Sequence, residues 1–575
     1  MHQRFFFLLL FVFLTPAIVQ AQAEVRSSGL NALVEERERF FRQFATDSLK
    51  PLGDFSEEKY AARYAFSKQF AEKLKGIDTG ALHFDDRISY ELLRFITNGE
   101  MADYERKAYL NPILSDAGFH ISLSGRVPAS FRNQQEVDRY FALLEDIPRY
   151  VREHQQLMRR GLALGICQPP VIIQSFQASY NTHVVSDPGE SFFYRPFKTK
   201  PASISPSIWQ QDTTKARQLI RDIVVPQYKN IQAFFEGEYL SKTKQSLGVD
   251  DFPKGKEYYQ QRVAYFTTTR LSYDEVYAIG LKEVARIRQE MMQVLEELRF
   301  EGDLPSFIRM LRTDERFYPK TADELLKEAS YIAKQVDGKL PQFFGKLPRL
   351  PYTVAPVPAD LAPNYTGGRY SPGRGTKAGE YWVNTYNLPA RSLYNLEALT
   401  LHEAVPGHHL QMALSLELEN VPAFRRNLYV NAFGEGWALY CEWLGTEMGF
   451  YKNAYSRFGK LTYEMWRACR LVVDVGIHTK KWTRQQAVDY LASNTALSMH
   501  EINTEVDRYI AWPGQALSYK MGELKIRELR ARAERELGSR FEIKEFHDLI
   551  LSKGTVTLDI LEWMVTRYLA QKKKA

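Results

Sequence analysis

The string His402-Glu403-Ala404-Val405-Pro406-Gly407-His408-His409-Leu410-Gln411 gathers three histidines and a glutamate within eight residues. Neutral imidazoles and carboxylates are zinc ligands, and His-Glu on a helix is how zinc hydrolases set a ligand beside a general base. The spacing departs from the usual four-residue separation. On an unbroken helix His402 and His408 would stand about 9 Å apart along the axis, at ~1.5 Å per residue. Zn–N bonds of about 2.0–2.1 Å cannot span that gap. A shared ion therefore requires an interrupted helix. Pro406 lacks an N–H and clashes with the preceding turn, and Gly407 tolerates unusual dihedrals. A two-residue bulge would pair His402 with His408, and a three-residue bulge would give that place to His409. The alternative is a helix that ends at Pro406-Gly407, with its histidines satisfied in the core.

Two histidines need a third protein ligand and an open position for catalysis. Asn431-Ala432-Phe433-Gly434-Glu435-Gly436-Trp437-Ala438-Leu439-Tyr440-Cys441-Glu442 supplies the best candidate, Glu435. A glycine inside a helix costs about 1 kcal/mol relative to alanine, so glycines on both sides of Glu435 imply tight packing around it. Glu442, seven residues on, shares its helix face and would orient a ligand. Glu403 is left as the general base that takes a proton from the attacking water and returns it to the leaving amine. His500-Glu501 is a weaker pair, because adjacent residues on a helix do not face each other.

The elements that position these groups read as helices. Apolar residues recur three and four apart over 30–44, 56–74, 84–95, 135–162, 213–235 and 273–298. Ser272 and Glu275 form a capping box before the last of these. Residues 347–389 differ, being rich in Pro, Gly and Tyr, with 380–385 (Glu-Tyr-Trp-Val-Asn-Thr) as a short strand. Helix resumes near Leu393 and continues to the end. No strand–helix alternation supports a doubly wound sheet. The expected fold is mainly α with one small β element next to the metal motif.

Of the 575 residues, 45% are hydrophobic and 25% charged, a globular composition. The 76 Lys and Arg exceed the 69 Asp and Glu by a net charge of +7 spread along the chain, which argues against nucleic-acid binding. Arg4, the apolar run 5–14 and Ala21-Gln22-Ala23 have the order of a secretory leader, with cleavage expected after Ala23 and Ala21 as the alternative site. A retained membrane anchor is the alternative, but the run breaks at Pro16 and is short for a span. No cysteine follows the run as a lipid-attachment site. Cys167, Cys441 and Cys469 form no disulfide or metal framework and read as small buried hydrophobes.

Residues 402–411 resemble the signature of the bacterial family DUF885. Gly434-Glu435-Gly436-Trp437-Ala438-Leu439-Tyr440 resembles its second motif. Arg508-Tyr509 with Pro513-Gly514-Gln515-Ala516-Leu517-Ser518-Tyr519-Lys520-Met521-Gly522 resembles its third. Upstream, Val137-Asp138-Arg139-Tyr140, Gly255-Lys256-Glu257-Tyr258-Tyr259 and Thr267-Thr268-Thr269 also fit, so the likeness spans nearly the whole mature chain. Such proteins look most like the helical gluzincin zinc peptidases, of thimet-oligopeptidase and carboxypeptidase-Taq type. That resemblance implies a multi-helical, two-lobed architecture around a deep channel, here divided as residues 24–270 and 271–575. It also implies an edge strand that holds the peptide backbone, for which 380–385 with Asn384 is the candidate. Tyr519 becomes the oxyanion donor, Tyr509 a substrate contact, and Arg508 and Lys520 binders of a peptide C-terminal carboxylate.

The expectation is an exported, zinc-dependent hydrolase of short peptides, in carboxypeptidase, dipeptidyl-carboxypeptidase or oligoendopeptidase mode. Its partner is a peptide substrate, with no nucleic acid and no membrane insertion after leader cleavage. The rivals are an exported peptide-binding protein with a non-catalytic metal site, and a metal-dependent hydrolase of non-peptide amides.

Overall fold

The computed structural model describes residues 27–574 except 46–48, 116, 360 and 420; the leader at 1–23 lies outside the described residues. Helices dominate. In the first half the longest is α1 (Gln134–Leu164), opened by the Asn133 side chain accepting from the Glu136 N–H and closed by Gly165 at φ 72°. It is followed by α2 (Gly255–Thr267) and α3 (Tyr273–Leu298), the latter with the expected Ser272–Glu275 capping box. The 213–235 region is longer than its periodicity predicts. It runs from Pro206 to Lys242 with π-helical turns at Ile220–Val224 and Phe234–Tyr239, which 3.6-residue periodicity does not reveal.

After α4 (Ala322–Phe343), the Pro/Gly/Tyr-rich segment forms a three-stranded sheet, with β1 (Tyr352–Pro356), β2 (Gly368–Ser371) and β3 (Gly379–Val383) in the order β1-β3-β2. β1 is parallel to β3 and β2 antiparallel to it, with Tyr370 opposite Tyr381. This corrects one expectation. The strand foreseen at 380–385 is the centre of the sheet, paired on both sides, and the edge beside the metal motif is β2. Strand order depends on pairing between distant segments, and β-propensity carries no record of it.

The motifs then fall on α5 (Leu396–Glu403), α6 (His408–Leu416), α7 (Asn431–Leu444), α8 (Ala454–Thr479), α9 (Met499–Ala511) and α10 (Ser518–Leu537). α8 packs along α3 and α7 along α10. From Phe458 to His478 every residue of α8 is buried, the signature of a helix surrounded by core. The main apolar core runs unbroken from Leu52 to Leu569, so residues on both sides of position 270 share it. Cys167, Cys441 and Cys469 are free and buried, as read from the sequence. Among the described residues no helix is long and apolar enough to cross a membrane.

Candidate metal centre

The helix carrying His402 ends at Glu403 and a new one starts at His408, so the interruption required by the spacing is present. Ala404 takes φ −89°, ψ −114° and Gly407 φ −71°, ψ −129°, neither of them helical. The His409 N–H donates across the bulge to the Ala404 carbonyl at 3.0 Å. A Cβ on Gly407 would lie 1.9 Å from the His402 carbonyl oxygen, so only glycine lets the chain fold back this closely. The buried Trp437 indole donates to the Pro406 carbonyl at 2.9 Å and fixes the bulge to α7.

The result is a cluster of three buried residues of two ligand types, imidazole and carboxylate. One ligand atom each from His402, His408 and Glu435 lie within 4.8 Å of one another. Glu435 Oε2 is 3.8 Å from His402 Nε2 and 3.4 Å from His408 Nε2, and the two rings stand perpendicular at 4.8 Å. His402 Nδ1 pairs with Glu442 Oε1 at 2.7 Å, which aims Nε2 at the cluster. The alternatives for the second histidine resolve to His408. His409 points elsewhere, with Nδ1 2.8 Å from the Tyr370 hydroxyl and its ring against Tyr352.

The donor set fits a cation. Burial opposes charge on Glu435, yet the facing His408 and His402 outweigh it and hold the carboxyl well below its usual range. Burial likewise opposes charge on His402, and Glu435 and Glu442 outweigh it to lift the imidazole to about 9. Two histidines and one carboxylate, with one ring nitrogen backed by a second carboxylate, is a composition typical of zinc sites.

Tight packing explains the glycines beside Glu435. A Cβ on Gly434 would meet the Tyr429 ring at 2.4 Å, and one on Gly436 would meet the Gly522 backbone at 2.5 Å. The first allows Tyr429 to donate its hydroxyl to Glu435 Oε1 at 2.9 Å, leaving Oε2 toward the histidines. The second lets α7 and α10 touch backbone to backbone. Tyr429 was not singled out from the sequence; the paired glycines were its only signal.

Glu403 lines a cavity of about 540 Å³ together with the cluster, the strand segment 366–370, Tyr519 and Arg508. Its Oε2 accepts the Tyr370 N–H at 2.8 Å. The Asn384 N–H donates to the Gly367 carbonyl, and the antiparallel alternation then turns the Tyr370 N–H away from β3, into the cavity. Tyr370 thus joins the open strand edge to the candidate base through its amide and to His409 through its hydroxyl.

Tyr519 lines the same cavity. Its ring stacks at 6.4 Å from His402, and its hydroxyl accepts from Arg508 Nη2 at 3.1 Å. Arg508 also reaches Gln515 and Glu505. Three other expected contacts are corrected. Asn384 is fully buried, and its amide donates to the carbonyls of Ala362, Tyr365 and Thr366, shaping the loop before β2 and not touching the cavity. Lys520 is fully buried among Glu283, Glu464 and Glu523, which hold it charged against the effect of burial. Tyr509 is 1% exposed, and its hydroxyl accepts from Trp466 and Arg470 behind the cavity wall. Helix phase explains part of this: one residue beyond Tyr519, Lys520 faces the core.

Fold and site together define a mainly helical protein with a two-histidine, one-glutamate cluster lining a cavity of about 540 Å³. The chain belongs to the family described as bacterial protein of unknown function, DUF885, whose model matches residues 44–565. It is similar to a candidate lipoprotein from Colwellia psychrerythraea, with 27% identity, a TM-score of 0.86, and coverage of 96% of this chain and 100% of that one. A candidate lipoprotein of unknown function from Shewanella oneidensis shares the fold at 17% identity and a TM-score of 0.69, over 94% of this chain and 99% of that one. No curated protein matches the sequence.

Proposed function

We propose that the protein is a zinc-dependent peptidase of the cell envelope that hydrolyses short peptides within its cavity. The observation that carries this reading is the convergence of His402, His408 and Glu435 with Glu403 beside them on a single cavity wall. His402, His408 and Glu435 would hold the ion, which supplies Lewis-acid polarisation and lowers the pKa of water when bound. Glu403 takes the proton of the attacking water and passes it to the leaving nitrogen, held in place by the Tyr370 amide. Tyr519 donates its hydroxyl to the oxygen that gains charge as the carbonyl becomes tetrahedral, with Arg508 orienting the phenol. Among the described residues the outer edge of β2 is unpaired apart from the Tyr370 N–H that holds Glu403 and the Gly368 carbonyl that accepts from Thr366, and its remaining backbone groups suit an extended chain, which favours a peptide over other amides. Envelope location rests on the leader pattern and on the descriptions of the two similar structures as candidate lipoproteins.

The test is metal analysis of purified protein combined with peptide digestion followed by mass spectrometry. About one zinc per chain and chelator-sensitive cleavage are expected. A zinc-replete protein that holds no stoichiometric metal and cuts no peptide is a binding protein or scaffold instead.

A further inference from the structure

One wall of the cavity, built by α8, α9 and the start of α10, alternates guanidinium and aromatic groups. The Arg467 Cζ lies 3.9 Å from the Trp466 ring centre and 4.7 Å from that of Tyr463. The Arg470 Cζ lies 4.3 Å from Trp466 and 4.1 Å from Tyr519. Stacking uses the flat faces of the guanidinium groups and leaves their N–H edges for acceptors.

Those edges are only partly used. Arg470 donates from Nη2 to Glu505 at 2.7 Å and from Nε to the Tyr509 hydroxyl at 3.0 Å. Its Nη1 is buried with no hydrogen-bond partner among the described residues. Arg467 has only a 3.3 Å contact from Nη2 to Glu442 and a 3.4 Å bond from Nη1 to the Tyr463 carbonyl, and its Nε has no partner among the described residues. An unmet buried donor costs roughly 1–3 kcal/mol, and more when charged. Two such arginines on consecutive turns of one helix suit an acceptor that arrives with a ligand.

The acids nearest these arginines do not fill that need. Glu505 is shared between Arg470 and Arg508, and Glu442 accepts from His402. Glu501 is raised to about 7 by burial, so it is an incomplete counter-charge at neutral pH. The arginines are also close to the metal ligands: the Glu442 carboxylate alone stands between Arg467, at 3.3 Å, and His402, at 2.7 Å. At 3% and 1% exposure, Arg467 and Arg470 are buried charges on the cavity lining, which suits a fixed anchor for one anionic group.

Resting on the peptidase reading above, we propose that Arg467 and Arg470 receive the free α-carboxylate of a peptide's C-terminus, so that residues are removed from that end. The anchor is tested by binding and by cleavage. Zinc-replete Glu403→Gln protein is titrated calorimetrically with one pentapeptide as its free acid, as its C-terminal amide, and as an amide with a glutamate side chain at the last position. The free acid is expected to bind roughly 10- to 100-fold more tightly than either amide, the range set by charge-assisted hydrogen bonds. In Arg467→Met and Arg470→Met versions of the same protein that preference shrinks. Equal binding of acid and plain amide overturns the anchor, and so does a glutamyl amide that binds like the acid. The wild-type protein is then given the same peptides. Trimming of the free acid from its C-terminus supports the anchor. Equal cutting within the amides overturns it while leaving the peptidase reading intact. An acid preference in binding with no peptide cut by zinc-loaded wild type upholds the anchor's recognition of C-termini and removes the peptidase reading.

Discussion

At the residue scale the three ligand candidates and the base stand in unequal surroundings. His402 is backed by Glu442, whereas His408 Nδ1 is buried without a hydrogen-bond partner among the described residues. Glu435 depends on Tyr429, whose hydroxyl occupies one of its two oxygens. Outer partners of this kind are worth about 10–100-fold in metal affinity. Tyr429→Phe is therefore expected to weaken zinc binding by about that factor, read by competition with a chromophoric chelator, with little change in fold. Glu403→Gln is expected to lower kcat by roughly 10²–10⁴-fold while zinc stays stoichiometric. Loss of metal in that variant would mean that Glu403 is a ligand and not the base. His402, Glu403 and Glu435 stand out in the sequence by residue type, and the structure brings them to one cavity. The sequence misplaced Asn384, Tyr509 and Lys520, because which way a side chain faces is decided by packing between helices far apart in the chain.

At the element scale the candidate metal centre rests on two close approaches that only glycine permits. Gly407 lies against the His402 carbonyl, and Gly522 lies where a Cβ would be 1.8 Å from the Ala432 carbonyl. Gly522→Ala must push α10 away from α7, and Gly407→Ala must open the bulge. Each is expected to cost about 3 kcal/mol or more, in the range of severe core lesions, and to lower zinc affinity. Thermal denaturation with and without added zinc measures both effects. A variant that melts within about 1 kcal/mol of wild type would show that the backbone yields easily there. The bulge was legible in advance, because a six-residue histidine spacing on a helix is compatible with a shared ion only if the helix breaks. The sheet was half legible: its central strand announces itself by composition, but β1 and β2 are hidden among prolines and glycines. Their pairing also made an edge of the segment that looked least like a strand.

At the scale of the whole molecule, buried titratable groups set the response to acid. Burial holds His120, His478 and His547 down to about 3 and His154 to about 4, against an ordinary value of 6.5. Between about 6.5 and 4 the unfolded chain binds protons that the folded one does not, so stability falls as pH drops through that window. Each histidine contributes about 1.4 kcal/mol per pH unit at most. Asp474 works in the opposite sense. Burial raises it to about 7 from 3.8, so the folded form keeps a proton that the unfolded chain releases, and its contribution fades as pH rises from about 4 to 7. Glu501, also raised to about 7 by burial, acts in the same sense as Asp474. The four histidines outnumber these two carboxyls, and the denaturant midpoint is expected to fall below pH 6. His154→Leu should flatten that slope by one histidine's share; an unchanged slope would show that His154 titrates normally. The mainly α architecture was readable from periodicity, since amphipathic helices declare themselves locally. The unbroken core from Leu52 to Leu569 was not, because contacts between distant segments leave no local trace.

The glycine crossing between α7 and α10 has a mechanical consequence. Glu435 rides on one of these helices and Tyr519 on the other, and their main chains meet at Gly436 and Gly522 with no side chains between them to slide or repack. That crossing fixes the distance between the two helices at this point, and with it the spacing between Glu435 and the phenol of Tyr519. Across the cavity, by contrast, the short outer strand at 368–371 has a neighbouring strand along only one flank.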